Sequence, residues 1–204
     1  MTSPESGAPG RAVPKWRNPW LVAGIAGIAT ITLLRPVLRN VPPSPPVLAA
    51  VPSFRFTGRS GPVTPATLAG QVHVVAIANT VNGNLAPRWA ALTLGGKLAD
   101  GIAATRTIRV LLVEPCDVSP PPSAPSVLVR VCGSTAEVVA FARAVSLALG
   151  HEAPPPNADV IPLGLVLVDG KGRLRGLYEL SDDGLDEAFH RASRVVSEPW
   201  EGGP

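Results

Sequence analysis

The segment VVAIANTVNGNLAP, residues 74–87, runs from an unbroken apolar stretch through a polar turn to a proline. Apolar residues without alternation mark a strand covered on both faces. Asn82-Gly83-Asn84 supplies the residue types of a tight turn. Pro87 suits the first turn of a helix, where a missing N–H is no loss. A central strand passing straight into a helix is the entry unit of an α/β domain, and the flanking sequence continues that alternation.

Residues 53–57 have the alternation of a short strand, 72–78 form the central strand, and 87 to about 98 read as its helix, weakened by Gly95 and Gly96. Residues 107–113 and 126–131 are rich in β-formers. Ser134 and Glu137 make an S-x-x-E capping box ahead of VVAFARAVSLAL, and Gly150 closes that helix. Residues 163–168 are another apolar strand. Asp169-Gly170-Lys171-Gly172 is a hairpin turn whose return strand is 173–180. Ser181 caps a last helix to about Val196, with Asp182, Asp183, Asp186 and Glu187 near its start. The order strand–helix–strand–strand–helix–hairpin–helix predicts an α/β, thioredoxin-like sandwich with a mixed central sheet over residues 53–198.

Ahead of that domain, residues 20–34 (WLVAGIAGIATITLL) carry no charge. As a helix they span about 22 Å, and continuing to residue 38 gives about 28 Å, against a hydrocarbon core of about 30 Å. Trp16 and Trp20 suit one interface, and Arg35 can snorkel at the other. The net charge of +3 belongs to this region: residues 1–52 hold five basic side chains against Glu5, whereas 53–204 hold 13 basic and 14 acidic. That placement points to a lipid bilayer as partner and away from nucleic acid. The expected organisation is a tail (1–19), one N-terminal transmembrane anchor (20–38), a proline-rich stalk (39–52), the domain (53–198) and a C-terminal tail (199–204). A cleaved signal peptide is the alternative, but no small-x-small site adjoins the apolar run. Arg11, Lys15 and Arg17 before the run outnumber Arg35 and Arg39 after it. The expected protein is single-pass, with its N-terminus cytoplasmic and its domain extracytoplasmic, in a periplasm or its equivalent.

Three stretches, FRFTGRSGPVTPATLAGQVHVVAIANT (54–80), GSTAEVVAFARAV (133–145) and LVLVDGKGRLRGLYE (165–179), are similar to the Sco/SenC family. These are membrane-anchored thioredoxin-fold proteins involved in assembling the copper centre of cytochrome oxidase, and the resemblance spans about residues 16–197. It implies that the family's C-x-x-x-C falls on Asn82 to Ala86, flanked by Thr80 and Pro87, and that its metal-binding histidine falls near Ile161. Copper(I) is held by thiolates and imidazole, which Asn82, Ala86 and Ile161 do not supply. The resemblance therefore implies copper as the family's cofactor and a degenerate site at these three positions. No catalytic, cofactor-binding or metal-ligating residue is expected in this chain. The emptied site should lie at the start of the first domain helix, next to Ile161 and Pro162.

Cys116 and Cys132 are the only cysteines, each close to the end of a predicted strand. If those strands are parallel neighbours the pair comes within disulfide range. Two unbonded packing thiols, or a redox-active or metal-binding pair, are the alternatives. His73, His151 and His190 are scattered and read as surface or edge residues. Ile161-Pro162 matches the cis-proline position of thioredoxins, and an ordinary trans proline fits it equally well. Asp169, Asn82 and Asn84 read as turn residues. The function expected is an accessory or binding module in respiratory oxidase assembly, with an oxidase subunit or assembly factor as partner. A divergent thiol–disulfide oxidoreductase using Cys116 and Cys132 is the alternative, and a structural part of a larger membrane assembly the third.

Overall fold

A computed structural model of the chain describes residues 19–38, 43–78, 85–100, 107–121, 123–151 and 164–198. It divides into two compact units, Met1–Pro43 and Ser44–Pro204. In the first, α1 (Pro19–Leu38) is a helix of 20 residues with Trp20, Ile28, Ile31 and Leu33 exposed. Thr32 returns its hydroxyl to the Ile28 carbonyl at 2.8 Å, which satisfies it within the apolar run. Among the described residues no helix is long and apolar enough to cross a membrane. The uncharged run ends at Leu34, where Arg35 and Pro36 follow.

The second unit is the predicted α/β sandwich. Its elements are β1 (Ala49–Ala50), β2 (Phe56–Gly58), β3 (Gly61–Val63), β4 (Val72–Ile77), α2 (Ala86–Asp100), β5 (Ile108–Pro115), β6 (Leu128–Gly133), α3 (Thr135–Ala148), β7 (Leu165–Val168), β8 (Arg173–Tyr178) and α4 (Asp182–Val196). The strands form one mixed sheet in the order β1-β8-β7-β4-β5-β6-β2-β3. β4, β5 and β6 run parallel, and β7 joins β4 antiparallel. β4, apolar but for His73, and the wholly apolar β7 are thus adjacent at the centre. Residues 39–52, expected as a stalk, are drawn partly into this unit. Ala49–Ala50 pairs with β8, and the Leu48 and Val51 N–H groups donate to Leu174 and Gly172 carbonyls at 2.8 and 2.9 Å. The strand expected at 53–57 shifts to β2 and gains a hairpin partner, β3.

Alternation along the strands sorts the core into two faces. Val74 and Ala76 of β4 pack with Ala90, Leu94 and Leu98 of α2 and with Leu185, Ala188 and Ala192 of α4. Val75 and Ile77 point the other way, onto Val138, Phe141 and Val145 of α3. Phe54, Phe56 and Phe141 close this second face as a ring cluster with centroids 4.9–5.5 Å apart. α2 runs unbroken through Gly95 and Gly96. A Cβ on Gly95 would sit 3.2 Å from the Pro125 ring, so the glycine that lowers helix propensity lets α2 lie against the β5–β6 connection.

Local signals behave as their chemistry dictates. The Ser134 hydroxyl accepts from Glu137 N–H at 3.3 Å, and the Glu137 carboxylate accepts from Ser134 N–H at 2.7 Å, closing the capping box. The bond from Ser134 N–H, with a second from the Ser134 hydroxyl to the same carboxylate at 2.8 Å, holds the Glu137 carboxyl below its ordinary value. Ser181 caps α4 through Gly184 N–H at 3.2 Å. Gly172, with φ +71°, turns the β7–β8 hairpin.

Candidate functional site

The parallel strands β4, β5 and β6 end on one side of the sheet, the side on which α2 begins at Ala86. In α/β sheets this carboxyl edge is where ligands gather. Register places Glu114 of β5 opposite Cys132 of β6, and Pro115 opposite Gly133. Cys116, the next residue, donates its N–H to the Gly133 carbonyl at 2.9 Å. The parallel-neighbour condition is therefore met, and Cys116 and Cys132 form a disulfide with Cα atoms 4.9 Å apart. The pair is accordingly neither two packing thiols nor a thiolate metal site. Cys116 is exposed and Cys132 half-buried. Cys132 and Arg130 also line a cleft of about 850 Å³ beside the β2–β3 hairpin and Pro120.

Beside the bridge lies a cluster that the sequence reading passed over. The Glu114 side chain is fully buried. Arg130 donates from Nε to its Oε1. Arg88, in the first turn of α2, brings its own Nε to 3.9 Å from Oε2, and that oxygen has no hydrogen-bond partner. Both arginines also reach the connection that follows Cys116. Arg130 Nη2 donates to the Val118 carbonyl at 2.6 Å, and Arg88 Nη2 donates to the Ser119 carbonyl. One buried carboxylate thus ties α2, β6 and the loop after the bridge together. A carboxylate at the end of the apolar run IRVLLVEP was the available signal, since a buried acid needs a cationic partner.

Of the three positions matching the family's ligands, Ala86 is the first residue of α2, while Asn82 and Ile161 lie outside the described residues, as do Asn84 and Pro162. Among the described residues, no group of three or more His, Cys, Asp or Glu is placed to hold a metal ion. His73 is not a surface or edge residue. It is 2 % exposed within central β4, with Nδ1 3.1 Å from the Gln71 carbonyl. Burial pushes its imidazole down to about 4, against the pull of the Gln71 hydrogen bond and with help from nearby Arg109. β4 is covered from both sides, so any residue within it is buried whatever its polarity. Asp169 is the turn residue expected, and more. Its carboxylate accepts from Lys171 and Arg173 N–H groups at 2.9 and 3.0 Å, from Arg173 Nε at 2.8 Å and from buried Arg175 at 3.2 Å. Burial raises its pKa, but the hydrogen bonds from Arg173 and Lys171 outweigh that and hold the group below the usual carboxylate range.

No family model and no curated protein matches the sequence. Solved structures of similar fold do match it. BsSco, described as a member of the Sco family of cytochrome c oxidase assembly proteins with a disulfide switch, is 19 % identical. It aligns over 76 % of this chain and 97 % of its own, with a TM-score of 0.53. A SCO1/SenC family lipoprotein from Bacillus anthracis is also 19 % identical, over 74 % of this chain and 98 % of its own, with a TM-score of 0.54. At this identity the likeness shows the thioredoxin-like fold alone.

Proposed function

We propose that the chain is an anchored accessory module of the Sco kind, which holds a thioredoxin-like domain outside the cytoplasm and works by binding during respiratory oxidase assembly. The observation that supports this reading is that strand β4 precedes helix α2, as the entry of the family does, and the resemblance puts the family's thiolate positions on Asn82 and Ala86. Ala86 opens α2 with a methyl group, and the chain's two cysteine sulfurs are bonded to each other. Copper(I) asks for thiolate and imidazole, so the residues present do not fit the metal. What remains at the carboxyl edge is a surface for a protein partner, an oxidase subunit or another assembly factor.

Anchoring rests on α1. Its run of residues 20–34 is uncharged, its apolar side chains are exposed, and basic residues flank the run on both sides. The disulfide favours an oxidising, extracytoplasmic address. Deleting the protein from its host is expected to lower the amount of assembled oxidase, with no rescue by added copper and full rescue by the wild-type chain. Oxidase levels unchanged by the deletion would refute the assembly role. Release of the protein by alkaline carbonate would refute the anchor.

A second reading, thiol–disulfide exchange, is favoured by the exposure of Cys116. It predicts that the purified chain accelerates reduction of a model disulfide by dithiothreitol, and that Cys116→Ser abolishes the effect. Equal rates with wild type, with the variant and without protein would remove it.

A further inference from the structure

We propose that the Arg88–Glu114–Arg130 cluster is a latch through which the redox state of Cys116–Cys132 sets the order of the first turns of α2. This goes beyond the binding role and does not depend on it.

The latch follows from what one buried carboxylate holds. Glu114 is enclosed at the end of β5, opposite Cys132. A charge in that position is stable only while its cationic partners are held in place, because water cannot replace them. Both partners are held by the same short loop: Arg130 through the Val118 carbonyl and Arg88 through the Ser119 carbonyl. The loop starts at Cys116 and is fastened to β6 by the disulfide, by the backbone bond from Cys116 N–H to the Gly133 carbonyl and by the Arg130–Val118 bond. The cluster is weakest on the α2 side. Arg130 hydrogen-bonds Oε1, whereas Oε2 faces Arg88 at 3.9 Å with no hydrogen bond. Arg88 is therefore the member that a shift of the loop frees first. It sits in the opening turn of α2, between exposed Leu85 and exposed Trp89.

The trigger is reduction by a dithiol. A thiolate of the dithiol attacks exposed Cys116 Sγ, a mixed disulfide forms, and the bond to Cys132 breaks with Cys132 leaving as a thiolate. The second thiolate of the dithiol then attacks the mixed disulfide and releases Cys116. The protein's bridge takes up two electrons and the dithiol becomes a disulfide. With the bridge open, the loop loses its one covalent tie to β6 and keeps only hydrogen bonds, from Cys116 N–H to the Gly133 carbonyl and from Arg130 to the Val118 carbonyl. The Ser119 carbonyl, beyond the Arg130 contact, moves away, Arg88 loses its acceptor, and the first turns of α2 loosen.

Amide hydrogen exchange on the full chain in detergent micelles tests this, comparing the oxidised protein with protein reduced by dithiothreitol. Exchange at residues 117–121 and at residues 89–93 is expected to rise together, each by about tenfold, in the range of local opening equilibria. Peptides from α3 and α4 should stay unchanged. In Arg88→Ala, residues 89–93 should exchange fast in both states while 117–121 still responds to reduction. Cys116→Ser should reproduce the reduced pattern without reductant. Arg88→Lys, which keeps the charge but not the forked donor, should loosen 89–93 in the oxidised state and serves if the alanine variant does not fold. The proposal is overturned if 117–121 responds in wild type and 89–93 does not. It is overturned too if 89–93 responds equally in either Arg88 variant, or if exchange rises uniformly across the domain.

Discussion

Opening the Cys116–Cys132 bridge is expected to destabilise the folded unit by about 3 kcal/mol. The two cysteines are separated by 16 positions. Releasing a closed loop of that size returns about 10 cal/mol/K to the unfolded chain, or about 3 kcal/mol at 25 °C. The native side changes less, because Cys116 keeps its backbone bond to Gly133, so the effect acts mainly on the unfolded ensemble. In a domain of this size 1 kcal/mol moves Tm by about 2–4 °C, so the expected fall is about 6–12 °C. The assay is thermal unfolding of the full chain in detergent, oxidised and reduced with a phosphine, beside Cys116→Ser/Cys132→Ser. The double variant should melt with the reduced protein and ignore the reductant. A Tm unmoved by reduction would refute the reasoning.

Three further outcomes are expected. His73 is pushed down to about 4 from an ordinary 6.5, so between those values the unfolded chain binds more protons than the native one. Stability should therefore fall by up to about 3 kcal/mol as pH drops from 7 to 4, a slope that His73→Gln should flatten in urea melts and that a parallel slope would contradict. A Cβ on Gly164 would lie 1.7 Å from the Tyr178 carbonyl oxygen, so Gly164→Ala should cost at least about 2 kcal/mol in urea unfolding, and a wild-type midpoint would contradict that packing. Asp169→Asn removes one of the two carboxylates that face buried Arg175, with Glu198 left on the other side, and should cost about 2 kcal/mol in urea unfolding; a wild-type midpoint would show that the Asp169 ion pair does not stabilise the fold.

The parts of this fold legible in the sequence are those set by local chemistry. The apolar runs of β4 and β7, the Ser134–Glu137 box, the Asp169–Gly172 turn and the Ser181 cap each announce an element through residues close together in the chain. The disulfide was legible as a condition, met once β5 and β6 proved parallel neighbours. The elements that were missed depend on pairing. β1 and β3 have two and three residues, too few for a pattern, and exist because β8 and β2 supply partners. His73 looked peripheral because a polar residue at the start of a strand usually is, but β4 lies between β5 and β7. The Glu114 cluster draws on α2, β5 and β6, and no spacing rule links Arg88 to Arg130.

A copper(I) titration tests the emptied entry most directly. The full chain in detergent is titrated against a chromophoric copper(I) chelator, with ascorbate as reductant so that the Cys116–Cys132 bridge stays closed. It is compared with Asn82→Cys/Ala86→Cys/Ile161→His under the same conditions. Wild type is expected to leave the chelator loaded, and the triple variant to withdraw one equivalent of copper. A wild-type chain that takes copper from the chelator, or a triple variant that takes none, would contradict the assignment of residues 82, 86 and 161 as a lost metal site on a retained thioredoxin-like scaffold.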